Sequence, residues 1–203
     1  MDILLNHHLT GSVGAAGEVE TLAYSAVIYS KTASFVDYEI PLNRVDLISR
    51  GYESDGSINL IIPITSDIAS ELNSRMEGGV LFKIYVVTRF GVKYVSQVID
   101  VPISDYRFDV GASSQTYTLT CRGIIAVPAK NSFSITKYFS KVKINDISQT
   151  LAKYAYSITP NLYQQCTVGS TVSVDDLVGI ISEVQLKSTP TSTELTIEIQ
   201  VAI

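Results

Sequence analysis

Short runs of alternating apolar and polar residues, separated by turn-forming residues, dominate the chain. Alternation with a period of two is typical of a strand that turns one face toward a core. The pattern predicts strands over residues 22–29, 35–40, 45–49, 57–62, 80–88, 92–101, 103–110, 115–125, 170–175, 178–186 and 193–201, and extended chain over 133–144. We therefore predict a mainly β fold, with one or two β-barrel or sandwich lobes of antiparallel strands.

Two predicted hairpins are the most regular part of this pattern. Both arms of the first are rich in β-branched and aromatic residues, and Gly91 supplies its turn. In the second, Tyr117, Leu119 and Cys121 alternate with threonines. This alternation predicts one face toward the core and a threonine face toward solvent or a neighbouring subunit.

Two segments have the spacing of short amphipathic helices. Residues 65–76 place apolar side chains on one face, with Thr65 or Ser66 as the N-cap. Residues 145–154 show similar spacing, with Asp146 as a candidate cap. The fold prediction therefore includes one or two short helices.

The chain has 203 residues, enough for one large β domain or two small ones. Residues 1–20 read as an N-terminal arm with a flexible Gly-rich segment. Residues 21–127 then form a first β-barrel lobe. Residues 128–203 form a second β lobe, or complete the same module. The N-terminus lacks the features of a signal peptide, and no apolar run approaches the ~20 residues of a membrane helix, so we expect no membrane span.

Charged residues make up only 17% of the chain, against roughly 25% in typical domains. Low charge suits a subunit whose surface is largely covered by neighbours. The net charge of -5 argues against nucleic acid as the main partner. Lys137, Lys141 and Lys143 form the densest basic group, which we interpret as a solvated strand face.

Few residues could support catalysis. The histidines are the adjacent His7 and His8, whose side chains would point to opposite faces of a strand and could not share a metal. No serine lies in a nucleophile-elbow motif. The Gly-rich segment over residues 11–17 lacks both phosphate-loop and dinucleotide-binding patterns. These residues therefore predict neither a hydrolase nor a phosphate site.

Two carboxylate pairs, Glu18/Glu20 and Asp175/Asp176, are close enough in sequence to consider glycoside hydrolysis. Asp175 and Asp176 fall between two strands, where aspartate is a turn former. The chain has no tryptophan to line a sugar cleft. We expect no catalytic, cofactor-binding or metal-binding residue, no cofactor, and no enzymatic activity.

The two cysteines, Cys121 and Cys166, are far apart in sequence. They lack the CxxC spacing of a zinc site. The sequence leaves a disulfide between them open, but nothing points to export, so we expect two buried free thiols.

Two segments carry a resemblance to a known family. The first covers residues 50–123: a strand closing on Ile62-Pro63, a polar helix, a hairpin, and a strand reading Tyr117-Thr118-Leu119-Thr120-Cys121-Arg122-Gly123. The second reads Val168-Gly169-Ser170-Thr171-Val172-Ser173-Val174-Asp175-Asp176, then Gly179-Ile180-Ile181-Ser182-Glu183-Val184, then Glu194-Leu195-Thr196-Ile197-Glu198-Ile199. Together they cover about half the chain and resemble phage tail hub proteins, including baseplate hubs and late-control-D-like proteins.

This resemblance implies a structural subunit of a phage tail tip or baseplate hub, forming a ring that joins the tail tube to the tip complex. Its expected partners are further copies of itself, as a trimer or hexamer, and other tail proteins. The expected location is the virion tail tip, and the host cytoplasm during assembly. A central hub, a distal tail ring and a smaller adaptor all remain open.

A second hypothesis is a receptor- or carbohydrate-binding β-sandwich module on a virion. Such a module needs an exposed aromatic cluster for stacking on its ligand. Tyr154, Tyr156 and Tyr163 are the candidates for that cluster.

Overall fold

The computed structural model describes residues 21–30, 38–50, 56–75, 77–87, 93–110, 115–123, 131–148 and 151–202. The mainly β fold with short helices is confirmed. The helices are α1 (Ser66–Asn73) and a 3-10 helix (Pro160–Gln165). The strands are β1 (Thr21–Tyr29), β2 (Tyr38–Glu39), β3 (Arg44–Arg50), β4 (Gly56–Pro63), β5 (Gly79–Val87), β6 (Lys93–Val110), β7 (Gln115–Gly123), β8 (Ser132–Ile135), β9 (Ser140–Ser148), β10 (Leu151–Ile158), β11 (Thr171–Val174), β12 (Leu177–Ser188) and β13 (Thr193–Ala202).

Among the described residues, the strands form one hydrogen-bonded sheet in the order β2-β1-β5-β6-β7-β4-β3-β12-β13-β10-β9. Strand β11 pairs with β12 outside this path, and β8 pairs with β11. The β8–β11 pair is parallel, and the pairs along the path are antiparallel. The sheet therefore continues from the N-terminal strands to the C-terminal ones.

Strand β6 is a single strand of 18 residues. The prediction of separate strands over 92–101 and 103–110 was wrong. The first part of β6 pairs with β5 as far as Pro102, and the second part pairs with β7 from Ile103. Proline has no N–H to donate to a ladder. Pro102 lies where β6 changes its partner from β5 to β7. The missing N–H therefore interrupts neither set of hydrogen bonds in the middle, and the strand continues through the proline.

Strands β3 and β12 join the two predicted lobes. Val45 to Arg50 pair with Ser188 to Glu183. Nε of Arg50 donates to Oε2 of Glu183 at 2.8 Å. The proposed boundary near residue 127 lies outside the described residues, and the division into lobes remains a prediction.

The core lies on the inward positions of these strands. On β4, Ile58, Leu60 and Ile62 are fully buried at alternate positions. On β7, Leu119 and Cys121 are buried, as predicted, while Tyr117 and the alternating threonines are partly exposed. Burying a side chain of the size of leucine or isoleucine stabilises a fold by about 1.5–3 kcal/mol. The alternation along each strand therefore fixes its register.

Helix α1 begins as predicted but ends early. Oγ1 of the N-cap Thr65 accepts a hydrogen bond from the N–H of Ile68 at 3.3 Å. Ile68 and Leu72 are buried at helical spacing. The helix ends at Asn73 instead of residue 76. The N–H of Arg75 donates to the carbonyl oxygen of Leu72 at 2.9 Å, a three-residue bond that tightens and closes the last turn.

The predicted helix over residues 145–154 was wrong, because this stretch contributes to strands β9 and β10. On β10, Ala152, Tyr156 and Ile158 are buried while Leu151 is exposed. Strand β10 hydrogen-bonds to β9 on one side and to β13 on the other. If this stretch were helical, β9 and β13 would lose their main-chain hydrogen bonds to β10. Pairing in the sheet therefore overrides the helical spacing of the apolar residues.

The remaining strand predictions agree with the structure to within a few residues where it describes them. The extended region 133–144 divides into β8 and the first part of β9. The Gly91 turn and the arm over residues 1–20 lie outside the described residues.

Candidate assembly interface

The β6–β7 hairpin ends in an arm with an apolar face. Tyr106, Phe108 and Val110 alternate along β6 and are 54%, 48% and 69% exposed. The ring of Phe108 packs on that of Tyr117, with centroids 5.3 Å apart. Strand alternation places these side chains on the same face as the buried Leu119, so the core face continues outward into solvent. This exposed apolar stripe is a candidate protein contact surface.

The same arm has an open sheet edge. Pairing between β5 and β6 stops at Pro102. Among the described residues, β6 beyond that point pairs only with β7. An edge strand with exposed apolar side chains is a template for a further strand. The N–H of Ile103 still donates to the carbonyl oxygen of Gly78 at 3.3 Å. We call the part of β6 beyond it, residues 104–110, the arm edge.

The opposite face of the arm is polar. Arg107 and Asp109 form an ion pair at 2.8 Å. On β3, Nε of Arg44 donates to Oδ1 of Asp46 at 3.0 Å, and this bond raises the pKa of the guanidinium. A shallow cavity of about 360 Å³ lies on this face, lined by Arg44, Asp46, Asn59, Ile61, Asp105, Arg107, Thr118 and Thr120. The threonine face predicted for β7 thus lines a groove with charges of both signs.

A second apolar surface lies at the other end of the sheet. Val178 and Ile180 of β12 are exposed on the face that turns away from the core, as is Leu151 of β10. Val142 and Ile144 of β9 are exposed as well. We call this set, Val142, Ile144, Leu151, Val178 and Ile180, the C-terminal apolar surface. These exposed apolar side chains make it a candidate contact surface for another protein.

A polar cluster supports the β11–β12 turn. Asp175 adopts a positive φ of 53°, as the turn prediction for Asp175-Asp176 requires. The hydroxyl of Tyr138 donates to Oδ2 of Asp175 at 3.1 Å, which raises the pKa of the tyrosine. Nζ of Lys141 lies 3.4 Å from the same oxygen and 5.4 Å from the ring centroid of Tyr154. The neighbouring Tyr156, whose ring centroid lies 5.5 Å from Nζ of Lys141, raises the pKa of the lysine.

Asp175 lies at the predicted turn and contacts Tyr138 and Lys141. Lys137, Lys141 and Lys143 are all exposed. Lys141 and Lys143 lie on strand β9, as the prediction of a strand face requires, whereas Lys137 lies between β8 and β9.

The tyrosine cluster expected for a ligand-binding module is not exposed. Tyr156 and Tyr163 are buried, and Tyr154 is partly buried. The hydroxyl of Tyr163 donates to Oε1 of Gln97 at 2.7 Å inside the protein. Two of the three rings therefore pack in the core, where they cannot stack on a ligand at the surface.

Both cysteines are buried free thiols, as predicted. Burial raises the pKa of Cys121 and of Cys166 to about 12, because the thiolate would lose its hydration. Neither sulfur is therefore an activated nucleophile at neutral pH.

The other residues considered for chemistry, His7, His8, Glu18, Glu20 and the Gly-rich residues 11–17, lie outside the described residues. Within the part of the chain that is described, no group of three or more His, Cys, Asp or Glu side chains could hold a metal ion. None of the described helices is long and apolar enough to cross a membrane.

The arm edge does not stand out in the amino-acid sequence. The alternation of Tyr106, Phe108 and Val110 with charged residues was visible, but it is also the pattern of an ordinary half-buried strand. What exposes this edge is the end of the β5 partner at Pro102, which is a property of the topology.

Comparisons with known proteins place this geometry among known folds. No protein-family model matches the sequence, and no curated protein sequence is significantly similar to it. The structure is similar to the tail protein from Neisseria meningitidis MC58, with a TM-score of 0.51 and 9% identity, over 88% of this chain and 96% of that chain.

Chains of the PdpA–VgrG complex are also similar. The Francisella complex in its half-lidded form gives a TM-score of 0.54 and 7% identity over 90% of this chain, which spans 58% of that chain. The lidless form of the complex gives a TM-score of 0.51 and 7% identity over 91% of this chain and 65% of that chain. The chain therefore has the fold that is found in the Neisseria tail protein and in the PdpA–VgrG complex.

Proposed function

We propose that this chain is a non-enzymatic structural subunit of a phage tail tip or baseplate hub, where it forms a ring that joins the tail tube to the tip complex. The observation that carries this proposal is the fold shared with the Neisseria meningitidis tail protein, which extends over nearly all of that chain. The two segments that resemble tail hub proteins in sequence support the same proposal independently.

The surface of the chain supports a role in assembly. The arm edge and the C-terminal apolar surface both expose large apolar side chains, and the chain carries few charges. Obligate protein interfaces have the same character, since charged residues are depleted at their centres. The proposed partners are further copies of the chain, in threes or sixes, and other tail proteins. The fold shared with a chain of the PdpA–VgrG complex supports partners of the spike type.

The location at the tail tip can be tested directly on particles. Antibodies against the purified chain would be applied to particles from the source culture and viewed by negative-stain electron microscopy. We expect label at the distal end of tails. Antibody that binds the free protein but labels no particle would contradict the proposal.

The ring can be tested on the purified chain. The C-terminal apolar surface is the proposed contact between subunits of the ring, and Ile180 is exposed within it. We expect negative-stain images of the wild type to show closed rings, and Ile180→Glu to give none while keeping the wild-type circular dichroism spectrum. Ser70→Glu, on the exposed face of α1, adds the same charge elsewhere and keeps the rings. A wild type without rings in solution or in particles would refute ring formation.

A further inference from the structure

The arm edge combines an open ladder with a charge pattern that complements itself. We propose that two copies of this chain pair antiparallel along residues 106–110 of β6, about a twofold axis through Phe108. Such a contact is isologous, because the same edge serves both copies. It is therefore separate from the head-to-tail contacts that close a ring, and it stands whether or not the ring forms.

Tyr106 shows which main-chain groups point to the open side. Its N–H donates to Oδ1 of Asp105 at 2.8 Å, a contact outside the ladder with β7. In an antiparallel pair, successive residues direct their main-chain groups alternately toward and away from the partner strand. The groups of Phe108 therefore point to the open side as well.

The pairing of Val110 shows independently that alternate main-chain groups of β6 point to the open side. It lies opposite Gln115 of β7. The carbonyl oxygen of Gln115 accepts a hydrogen bond from the N–H of Ile64, on the β4 side of β7, at 3.1 Å. Because the N–H and C=O of one residue point to the same side of a strand, Val110 and Gln115 form a non-hydrogen-bonded pair. The main-chain groups of Val110 thus also face the open edge.

Charge then selects one register among those that can hydrogen-bond. A twofold axis at Arg107 would set two arginines opposite each other, and an axis at Asp109 would set two aspartates opposite each other. An axis at Tyr106 would set Arg107 against Asp105, but it would also carry Val110 of the second copy to Pro102, where β5 already pairs with β6. An axis at Phe108 sets Arg107 of each copy against Asp109 of the other. Like charges directly opposite each other destabilise a sheet and opposite charges stabilise it.

The charged pairs have the geometry that they need. Arg107 and Asp109 would face each other at non-hydrogen-bonded positions, where opposite Cα atoms approach to about 4.5 Å. The two side chains already form an ion pair within one chain, and they are 74% and 40% exposed. They are therefore available to a second copy without breaking any buried contact.

The apolar face matches in the same register. Phe108 would lie opposite Phe108 of the second copy, and Tyr106 opposite Val110. These side chains would extend the aromatic contact that Phe108 makes with Tyr117. One face of the new ladder is then apolar throughout, and the other carries two complementary ion pairs.

A charge-swap experiment tests this pairing. Arg107→Asp and Asp109→Arg each turn two attractive pairs into two repulsive ones. Each is expected to weaken self-association at least about tenfold, as measured by sedimentation equilibrium. The double variant, Arg107→Asp with Asp109→Arg, restores association. An equimolar mixture of the two single variants also restores it, because each charge then meets its opposite.

Recovery in the mixture cannot come from misfolded protein, so it separates the pairing from a failure to fold. Arg50→Asp is the matched control, since it removes an exposed ion pair with Glu183 away from the arm. It keeps wild-type association at the arm edge. Equal association of the wild type and both single variants, or a mixture that stays dissociated, would overturn the proposal.

Cross-linking tests the register. Hydrogen-bonded opposite residues have Cα atoms about 5.5 Å apart, within the range of a disulfide. Phe108→Cys is therefore expected to form a disulfide-linked dimer when diamide oxidises the two thiols. Tyr106→Cys alone does not, because the two copies of residue 106 would be roughly 13 Å apart along the strands. Tyr106→Cys mixed with Val110→Cys does cross-link. Efficient self-linking of Tyr106→Cys but not of Phe108→Cys would refute the register.

Discussion

The buried hydrogen bond between Tyr163 and Gln97 links two distant parts of the chain. Tyr163 lies in the 3-10 helix after β10, and Gln97 lies in the first part of β6. The hydroxyl donates to Oε1 at 2.7 Å, and both residues are buried. Burial raises the pKa of Tyr163, so the hydroxyl keeps its proton well into the alkaline range. We predict that Tyr163→Phe destabilises the whole fold, although it keeps the packing of the ring.

The size of the destabilisation by Tyr163→Phe follows from the polar atom of Gln97 that stays buried after the hydroxyl is removed. Removing one partner of a buried hydrogen bond costs about 1–3 kcal/mol, because the other polar atom stays buried and less well satisfied. For a chain of this size each kcal/mol lowers the melting temperature by roughly 2–4 °C. We therefore expect a loss of about 1–2 kcal/mol in the free energy of unfolding and a fall of roughly 2–8 °C in the melting temperature.

The assay is urea unfolding followed by circular dichroism, on Tyr163→Phe, Gln97→Leu and the double variant. A coupling energy of about 1 kcal/mol between the two changes is expected for groups in direct contact. Tyr138→Phe is the matched control, because it deletes a tyrosine hydroxyl whose bond to Asp175 lies at the surface. It should cost less than about 0.5 kcal/mol. Additive effects of the two buried changes would refute the reasoning.

Three further changes test separate features. Thr65→Ala removes the N-cap of α1 and should lower the free energy of unfolding by about 1 kcal/mol in urea, whereas Thr65→Ser retains most of it. Gly179→Ala would place a Cβ 2.7 Å from the carbonyl oxygen of Gln200, so we expect a loss of about 1–3 kcal/mol, and unchanged stability would contradict the β12–β13 register. Cys121 and Cys166 should resist alkylation in the folded protein and react in denaturant. Their thiol pKa is raised from 9.0 to about 12, so the unfolded chain releases protons first and the free energy of unfolding falls as the pH rises between these values. A titration monitored by thermal unfolding checks this, and constant stability there would argue against burial.

The sequence predicted the fold correctly where the local pattern of apolar residues and the contacts with distant strands favour the same structure. On β4 and β7 the alternation of apolar residues marks the buried face correctly, because each strand has a neighbour on both sides. The N-cap at Thr65 was also readable, since a cap is a contact within four residues.

The errors arose where a distant partner decides the structure. Residues 145–154 have helical spacing, yet β13, at the end of the chain, holds β10 extended. Pro102 reads as a strand end, but it lies at the change of partner within β6. The arm edge was missed for the same reason, because an exposed edge is defined by the partner that a strand lacks.

The pairing of β3 with β12 has a consequence for biosynthesis. Arg50 and Glu183 are 133 residues apart in sequence. At ribosomal rates of 5–20 residues per second, β12 emerges roughly 7–27 s after β3. During that interval β3 has no partner on the side that β12 later covers, and an unpaired edge is where nascent chains aggregate. Strand β3 can reach its final arrangement only after β12 has left the ribosome, so expression at low temperature or with a chaperone is expected to raise the soluble yield.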